Sequence, residues 1–169
     1  CIRTMGHIYK SRGNFDLSAQ YYQEALDYML KNMPDQDPSQ LYSSLAEYYR
    51  NTQKDYATAL DYCEKALKSA KTERNIAQAM IEKCLVLFRQ GRIDEFNDCY
   101  KEAVQMADRC KLSASVSLLI AHISKNILDK QYEQAHAHAD QLSEKGLQQH
   151  AYIYECAKDY PNAIKYLKK

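Results

Sequence analysis

The stretch His-Ala-His-Ala-Asp at residues 136–140 has the residue types that could bind a metal ion. On a helix, His136 and Asp140 lie one turn apart on one face and could ligate one side of a zinc ion, whereas His138 points elsewhere. Zinc requires three or four ligands, and spacing assigns no other His or Cys to this site. The favoured interpretation is a solvent-facing helix surface with inward alanines, so we predict no metal and no other cofactor.

The cysteines are the second group that could carry chemistry, but none of them forms a Cys-x-x-Cys pair. Disulfide frameworks are typical of shorter, loop-rich secreted chains, and no local pattern here would lower the pKa of a thiol. We therefore predict reduced thiols that pack as small apolar groups. The six cysteines are Cys1, Cys63, Cys84, Cys99, Cys110 and Cys156.

The four glycines leave no room for a Gly-rich phosphate loop, a dinucleotide fingerprint or a nucleophile elbow, so we predict that the chain is not an enzyme. Gly13 and Gly91 each follow a helical pattern at the position of a left-handed helix end. Gly146 is interpreted as a helix stop. Gly6 lies within a helical pattern, where it is unfavourable unless another helix approaches closely.

The charge balance argues against a polyanionic partner, because 23 basic and 22 acidic residues give a net charge of +1. The tyrosine doublets 21–22 and 48–49 could stack on bases, but no basic stripe accompanies them, and we predict no nucleic-acid contact. No apolar run approaches the roughly 18 residues of a membrane span. Cysteine usage favours the cytoplasm, with a periplasmic sensor as the alternative. Because the chain opens at Cys1 within a helical pattern, we expect a piece of a longer protein.

The prolines mark where helices begin. Residues 31–37 are polar and contain Pro34, which predicts a linker. After it, Asp37 can cap a new helix, Pro38 suits the first helical position and Gln40 suits the third position of a capping box. Pro161 suits the first turn of another helix.

A repeat emerges when the large residue that follows each turn is aligned. Phe15, Tyr56, Ile93, Tyr132 and Tyr160 are separated by 41, 37, 39 and 28 residues. Small residues recur at fixed offsets, as expected where helices cross closely. Three residues beyond the aligned position stand Ser18, Ala59, Ala135 and Ala163, whereas the third repeat departs with Phe96 there, and ten beyond the first three aligned positions stand Ala25, Ala66 and Ala103. On the preceding helix, small-x-x-large pairs stand at Gly6/Tyr9, Ala46/Tyr49, Cys84/Leu87, Ser124/Ile127 and Ala151/Tyr154.

This pattern of small and aromatic positions resembles the tetratricopeptide repeat over essentially the whole chain. The first three intervals, of 37 to 41 residues, exceed the family's period of about 34 residues, which is similar to the long-repeat arrays of bacterial signalling proteins. The resemblance implies an all-α fold, a right-handed superhelical solenoid of antiparallel helix pairs. We predict a single array with approximate repeats at residues 1–33, 38–72, 74–110, 112–145 and, incomplete, 147–169. One such pair cannot stabilise itself and needs neighbours, so its core follows the stack.

The resemblance also implies a binding surface, since first helices line a concave groove in this family. The groove is expected to be polar and mixed in charge at its N-terminal end and apolar further on, which suits an extended peptide or helix. The expected peptide-binding residues are Arg3, His7, Lys10, Ser43, Glu47, Arg50, Asn51, Ile81, Leu85, Phe88 and Arg89. Glu47, Ile81 and Leu85 replace the residues that bind chaperone tails in the family, so we disfavour a cochaperone.

Three functions remain open at this stage. The leading one is a non-enzymatic module that binds a protein or peptide. The first alternative is a sensory or regulatory segment of a bacterial signalling protein whose kinase or DNA-binding region lies outside this chain. The second is an oligomerisation scaffold, because apolar residues near both ends, such as Ile2 and Leu167, predict either self-association or further repeats.

Overall fold

The computed structural model describes residues 2–112, 115–142 and 146–167, so the prediction for Cys1 lies outside the described residues. Within them the chain is all-α, with no β-strand, which confirms the predicted fold class. The helices are α1 (Ile2–Ser11), α2 (Phe15–Asn32), α3 (Ser39–Tyr48), α4 (Tyr56–Ser69), α5 (Glu73–Arg89), α6 (Ile93–Arg109), α7 (Val116–Leu128), α8 (Tyr132–Ala139), α9 (Gly146–Cys156) and α10 (Tyr160–Leu167).

The helices pack as consecutive pairs within two compact units. The first unit, Cys1–Cys110, contains the pairs α1/α2, α3/α4 and α5/α6. The second unit, Lys111–Lys169, contains α7/α8 and α9/α10. Each pair corresponds to one of the repeats expected from the sequence, whose boundaries and grouping into one array stay predictions.

The turn inside each helix pair contains one residue in the left-handed region. Gly13 and Gly91 take this conformation at φ of 76° and 73°, as predicted. Lys54, Lys130 and Lys158 occupy the corresponding position at 54°, 58° and 63°. All five residues stand two before the aligned large residue, so the turns themselves follow the repeat register. A lysine bears a steric cost there that glycine avoids.

The turn between α3 and α4 accommodates one extra residue through a π-helix at Tyr49–Gln53. In the first pair, the N–H of Asn14 donates to the carbonyl of Tyr9, five residues earlier, at 3.0 Å. In the second pair, the N–H of Asp55 donates to the carbonyl of Tyr49, six residues earlier, also at 3.0 Å. The wider helical turn therefore absorbs the insertion without disturbing the start of α4.

The same hydrogen bond corrects the register of the fourth repeat. The N–H of Gln131 donates to the carbonyl of Asn126 at 2.8 Å, the bond that Asn14 makes to Tyr9 in the first repeat. Asn126 is thus the counterpart of Tyr9, and Ile123 the counterpart of Gly6. The predicted pair Ser124/Ile127 is wrong by one residue. Ser124 fits the pattern by its small size, but Ile123 has the spacing of Gly6, nine residues before the aligned large residue.

The core of the first unit follows the helix pairs as predicted. One cluster joins Tyr22 and Leu26 of α2 to Leu41 and Leu45 of α3. The next joins α3, α4 and α5. In the second unit a separate cluster joins α7, α8 and α9 through Ile123, Ala139 and Ile153. The small residues Ala25, Ala66 and Ala103 are all buried, as the repeat requires.

Two glycines permit close approaches between helices. A Cβ atom on Gly6 would lie 2.5 Å from Cε1 of Tyr22, which confirms the predicted helix contact. A Cβ atom on Gly146 would lie 2.8 Å from the carbonyl oxygen of Ala139. Gly146 begins α9 and does not end a helix, so its interpretation as a helix stop is wrong. Its small size serves contact with the end of α8.

Asp37 organises the connection between α2 and α3, which begins after Asn32 and is therefore shorter than the predicted 31–37 linker. Its carboxylate accepts the N–H of Ser39, the first residue of α3, at 2.9 Å, but Pro38 stands at the N-cap position, so the predicted first helical position of Pro38 is wrong. The Asp37 carboxylate also accepts the N–H of Lys71 at 2.8 Å and the side-chain amide of Asn75 at 2.9 Å. Burial alone would raise the pKa of Asp37, but these hydrogen bonds outweigh it and lower the pKa to about 2.

Candidate functional site

The predicted groove residues of the first unit lie on α1, α3 and α5 and in the π-helix, but they differ widely in exposure. Ile81 and Leu85, expected as the apolar part of a binding surface, are buried. Phe88 is half-buried and packs its ring 5.6 Å from that of Phe96. Arg3, His7, Asn51 and Arg89 are exposed, Lys10 and Glu47 are half-buried, and Ser43 and Arg50 are buried.

A ladder of hydrogen bonds joins these three first helices near their N-terminal ends. Arg3 on α1 donates to Oε1 of Gln40 on α3 at 3.2 Å. The amide nitrogen of Gln40 donates to Oδ1 of Asn75 on α5, also at 3.2 Å. Gln40 therefore bridges three repeats, and the capping-box role expected for it is wrong. We call the surface that carries Arg3, Lys10, Gln40, Glu47 and Asn75 the first-helix face.

An ion pair between Lys10 of α1 and Glu47 of α3 lies further along the first-helix face. Partial burial opposes the charged ammonium, but the adjacent Glu47 carboxylate outweighs this effect and raises the pKa of Lys10. The pair joins two predicted groove residues that sequence analysis had treated separately. Both side chains are thus held in fixed positions before any partner arrives.

A second ion pair lies deep between α3 and α5. Nη2 of Arg50 donates to Oε2 of Glu82 at 3.0 Å, with only 5% and 2% of the two side chains exposed. Arg50 belongs to the π-helix, and its Nη1 also donates to Asn51 at 2.8 Å. Removing two charges from water is costly, so the pair fixes the relative position of two repeats more than it adds net stability. Arg50 therefore supports the face from beneath.

His7 connects the first-helix face to the core. Its Nδ1 lies 3.1 Å from the hydroxyl of Tyr22, whose ring meets the imidazole edge-on at 5.3 Å. Burial, followed by the positive charges of Arg3 and Lys10, lowers the pKa of His7 despite the opposing effect of Glu47. His7 is therefore neutral at pH 7 and can accept or donate a hydrogen bond there.

A cleft in the first unit lies elsewhere. It has a volume of about 400 Å³ and is lined by Asp16, Ala19, Gln20, Gln23, Leu45, Tyr48 and Tyr49. Most of these residues belong to the second helix α2 and to the end of α3. None was a predicted groove position, and the cleft is open and mixed in polarity, so we assign it no role in binding.

The second unit brings together a histidine cluster that sequence analysis found only in part. Nδ1 of His136 on α8 lies 2.6 Å from Nδ1 of His150 on α9, and Nε2 of His150 lies 3.0 Å from Oδ1 of Asp140. His150 therefore contacts both of the predicted residues, His136 and Asp140. His138 points away, as predicted, and stacks on His122 at 4.9 Å. Across the described residues, no group of His, Cys, Asp or Glu is arranged to hold a metal ion.

Several functional candidates escaped the sequence analysis because they pair residues of different repeats. Gln40, Asn75 and Glu82 each contact a side chain about one repeat away along the chain. His150 contacts His136 across the α8 to α9 connection. The available signal was the repeat period itself, since polar residues one period apart on first helices become neighbours.

No helix among the described residues has the length and apolar character to cross a membrane.

The fold and the first-helix face together define an all-α protein built from paired-helix repeats. The family model for the tetratricopeptide repeat matches residues 1–72, which confirms the predicted resemblance to that family. No curated protein matches the chain. Among solved structures, the crystal structure of BtubC (BKLC) from P. vanneervenii is similar, with a TM-score of 0.61 and 18% identity over 99% of this chain and 76% of that chain. At this identity the likeness shows the fold alone.

Proposed function

We propose that the first-helix face binds an extended segment of a partner protein. Tetratricopeptide repeats generally mediate protein–protein interaction and are typically non-enzymatic. The observation that carries the proposal is the ladder from Arg3 through Gln40 to Asn75, which fixes polar side chains of three helices on one surface. A surface held in place before binding loses less conformational freedom when a partner docks.

The charges on this face favour a segment with a carboxylate near one end. Arg3 is exposed, and its planar guanidinium suits bidentate contact with a carboxylate. Lys10 is already paired with Glu47, so it contributes less net attraction. Ile81 and Leu85 are buried and support the face from below, which leaves half-buried Phe88 as the apolar contact. The proposed segment therefore combines an acidic residue with a single apolar anchor.

A displayed library of random peptides, selected against the 169-residue chain, tests this proposal. We expect the selected peptides to share an acidic residue and to lose about tenfold or more in affinity for Arg3→Glu, because a desolvated charge pair at a binding surface contributes 1.4 kcal/mol or more. Arg12→Glu is the matched control, since Arg12 is also an exposed arginine but lies in the turn after α1. Peptides that bind both variants equally would show that the face is not the site.

Self-association is a second candidate function, favoured by apolar side chains exposed at the ends of the described chain. Ile2, Met5 and Ile8 of α1 are each 37% exposed, and Ile164 and Leu167 of α10 are 51% and 63% exposed. Exposed apolar patches of this kind often mark an interface. Light scattering of the 169-residue chain would detect dimers that Met5→Lys and Leu167→Lys weaken, whereas a monomer at all concentrations would exclude this function.

A further inference from the structure

Two cysteines of the third helix pair face each other at close range. Cys84 on α5 and Cys99 on α6 are 15 residues apart in sequence, on either side of the turn at Gly91. Their Sγ atoms are 2.8 Å apart. A disulfide bond is about 2.05 Å long, so the sulfurs need to approach by only about 0.8 Å. None of the described cysteines is in a disulfide, and both members of the pair are free thiols.

The two thiols differ in accessibility. Cys84 is fully buried at the small position of its helix, whereas Cys99 is half-buried and can be reached from solvent. The thiol of Cys84 donates to the sulfur of Cys99, and the Cys99 thiol in turn donates to the carbonyl oxygen of Met80 at 3.5 Å. A reagent from solvent therefore meets Cys99 first, with Cys84 directly behind it.

The hydrogen bond between the two thiols also shifts their pKa values in opposite directions. Donation from Cys84 stabilises a thiolate on Cys99, which lowers the pKa of Cys99 against the opposing effect of burial, and the charge of Lys83 assists. The same hydrogen bond, together with burial, raises the pKa of Cys84. Cys99 is thus the nucleophile of the pair, and Cys84 remains a protonated thiol.

We propose that Cys84 and Cys99 form an oxidisable dithiol, in which a hydroperoxide converts the two thiols into a disulfide between α5 and α6. In the first step Cys99 gives up its proton, its thiolate attacks one peroxide oxygen and the O–O bond breaks, which forms a sulfenic acid; the departing hydroxide or alkoxide takes up a proton and leaves as water or an alcohol. In the second step the Cys84 sulfur attacks the Cys99 sulfur, the S–S bond forms, the S–O bond breaks, and the hydroxyl group leaves as water with the proton of Cys84. Two electrons pass from the sulfurs to the peroxide, and an external thiol reverses the reaction.

The other cysteines provide internal comparisons. Cys63 on α4 is buried, and burial raises its pKa, so it has neither access nor thiolate character. Cys110 is half-buried like Cys99 but has no thiol as a hydrogen-bond partner among the described contacts. If exposure alone set the rate of oxidation, Cys99 and Cys110 would be oxidised at the same rate. The proposal requires Cys99 to react first.

The experiment exposes the reduced 169-residue chain to hydrogen peroxide, blocks the remaining thiols with iodoacetamide and maps the peptides by mass spectrometry. We expect a Cys84 to Cys99 disulfide, formed about tenfold faster than any oxidation of Cys110. Cys84→Ser should leave Cys99 as a sulfenic acid that dimedone traps, and Cys99→Ser should leave Cys84 reduced. Cys110→Ser should not alter the disulfide.

Several results would overturn the proposal. A disulfide that includes Cys63, or oxidation of Cys110 ahead of Cys99, would assign the reactivity elsewhere. Because a serine variant can perturb folding, the order of thiol alkylation in the unaltered chain gives an independent measure. Cys99 should be alkylated before Cys63, Cys84 and Cys110, and an equal rate at Cys110 would contradict the thiolate that the proposal assigns to Cys99.

Discussion

The two units of the chain share helix-pair architecture but join their helices with different chemistry. In Cys1–Cys110, charged side chains such as Lys10 with Glu47 and Arg50 with Glu82 connect one repeat to the next. In Lys111–Lys169, histidine rings stack in two pairs, one of them His136 with His150 at 4.9 Å. Lysine, arginine and glutamate keep their charges between pH 5 and 8, whereas histidine does not. The second unit, which contains four of the five histidines, should therefore be more sensitive to mild acid than the first, which contains only His7.

The largest expected effect tests the buried charges of the first unit. Glu82→Ala leaves the guanidinium of Arg50 buried without its carboxylate, which costs about 3–5 kcal/mol of unfolding free energy. The counterpart in the second unit is Asp140→Ala, which removes a 73% exposed carboxylate from His150 and costs at most about 1 kcal/mol. Urea denaturation followed by circular dichroism measures both, and equal losses would contradict the contrast between the units.

Close helix approaches provide the next comparison. Gly146→Ala places a methyl group 2.8 Å from a backbone carbonyl, and Gly6→Ala places one 2.5 Å from the ring of Tyr22. Each costs about 1–3 kcal/mol as overpacking, and Gly146→Ala costs more because a backbone atom cannot rotate away. Denaturation curves give the values. The exposed Thr4→Ala on α1 is the control and should cause no loss.

Asp37 makes the first unit sensitive to strong acid. Asp37→Ala removes the hydrogen bonds to Ser39, Lys71 and Asn75 and costs about 1–2 kcal/mol at pH 7. Because the pKa of Asp37 is about 2 in the folded chain, its contribution is present above pH 4 and is lost as pH falls towards 2. The stability difference between the unaltered chain and Asp37→Asn should shrink over that range. Asp35→Asn, an exposed neighbour, should show no such change.

The turn residues also differ between the units, and here the second unit carries the greater steric cost. Both of its helix-pair turns place lysine in the left-handed conformation. Lys130→Gly relieves that conformation and should stabilise the chain by about 0.5–1 kcal/mol. Gly91→Lys in the first unit should destabilise it by a similar amount. Melting temperatures of the two variants should shift in opposite directions, and shifts of the same sign would show that the turn conformation is not the cause.

Mild acid should loosen the second unit around α8 and α9. Burial, then the adjacent His150, lower the pKa of His136 despite the opposing carboxylate of Asp140. The unfolded chain therefore binds more protons below pH 6.5, and stability is lost as pH falls through that value. Hydrogen exchange corrected for intrinsic rates should show less protection of α8 and α9 at pH 5.5 than at pH 7.5.

Two variants localise this effect. His136→Gln should reduce the pH dependence in α8 and α9. His7→Gln serves as the matched control from the first unit, because its pKa is also lowered by burial, and it should change exchange only near α1 and α2. A pH dependence that survives His136→Gln unchanged would assign the effect to other groups.

The sequence predicted the parts of the fold that depend on local chemistry. The left-handed turns at Gly13 and Gly91, the start of a helix just after Asp37 and the inward small residues all follow from residue types at fixed spacing. The register of the fourth repeat failed because Ser124 was chosen for its small size, whereas the large Ile123 occupies the position of Gly6. Gly146 was misread because a glycine suits a close contact as well as a helix end.

The candidate site was harder to predict because its side chains are positioned by partners in other repeats. Ile81 and Leu85 stand at first-helix positions that the repeat pattern assigns to the groove surface. Both are nevertheless buried by packing that the pattern does not predict. The bridge through Gln40 and the pair of Cys84 with Cys99 likewise depend on distances between helices. Residue spacing within a single helix does not predict these distances between helices.

The π-helix at Tyr49–Gln53 shows how this chain tolerates a change in length. One extra residue in a helix would ordinarily rotate the helical residues that follow it by about 100° and turn the wrong face inward. Here the widened coil confines that rotation to five residues, and the buried Ala59 and Cys63 still face inward. The turn between α3 and α4 therefore accommodates one extra residue while α4 keeps its inward face.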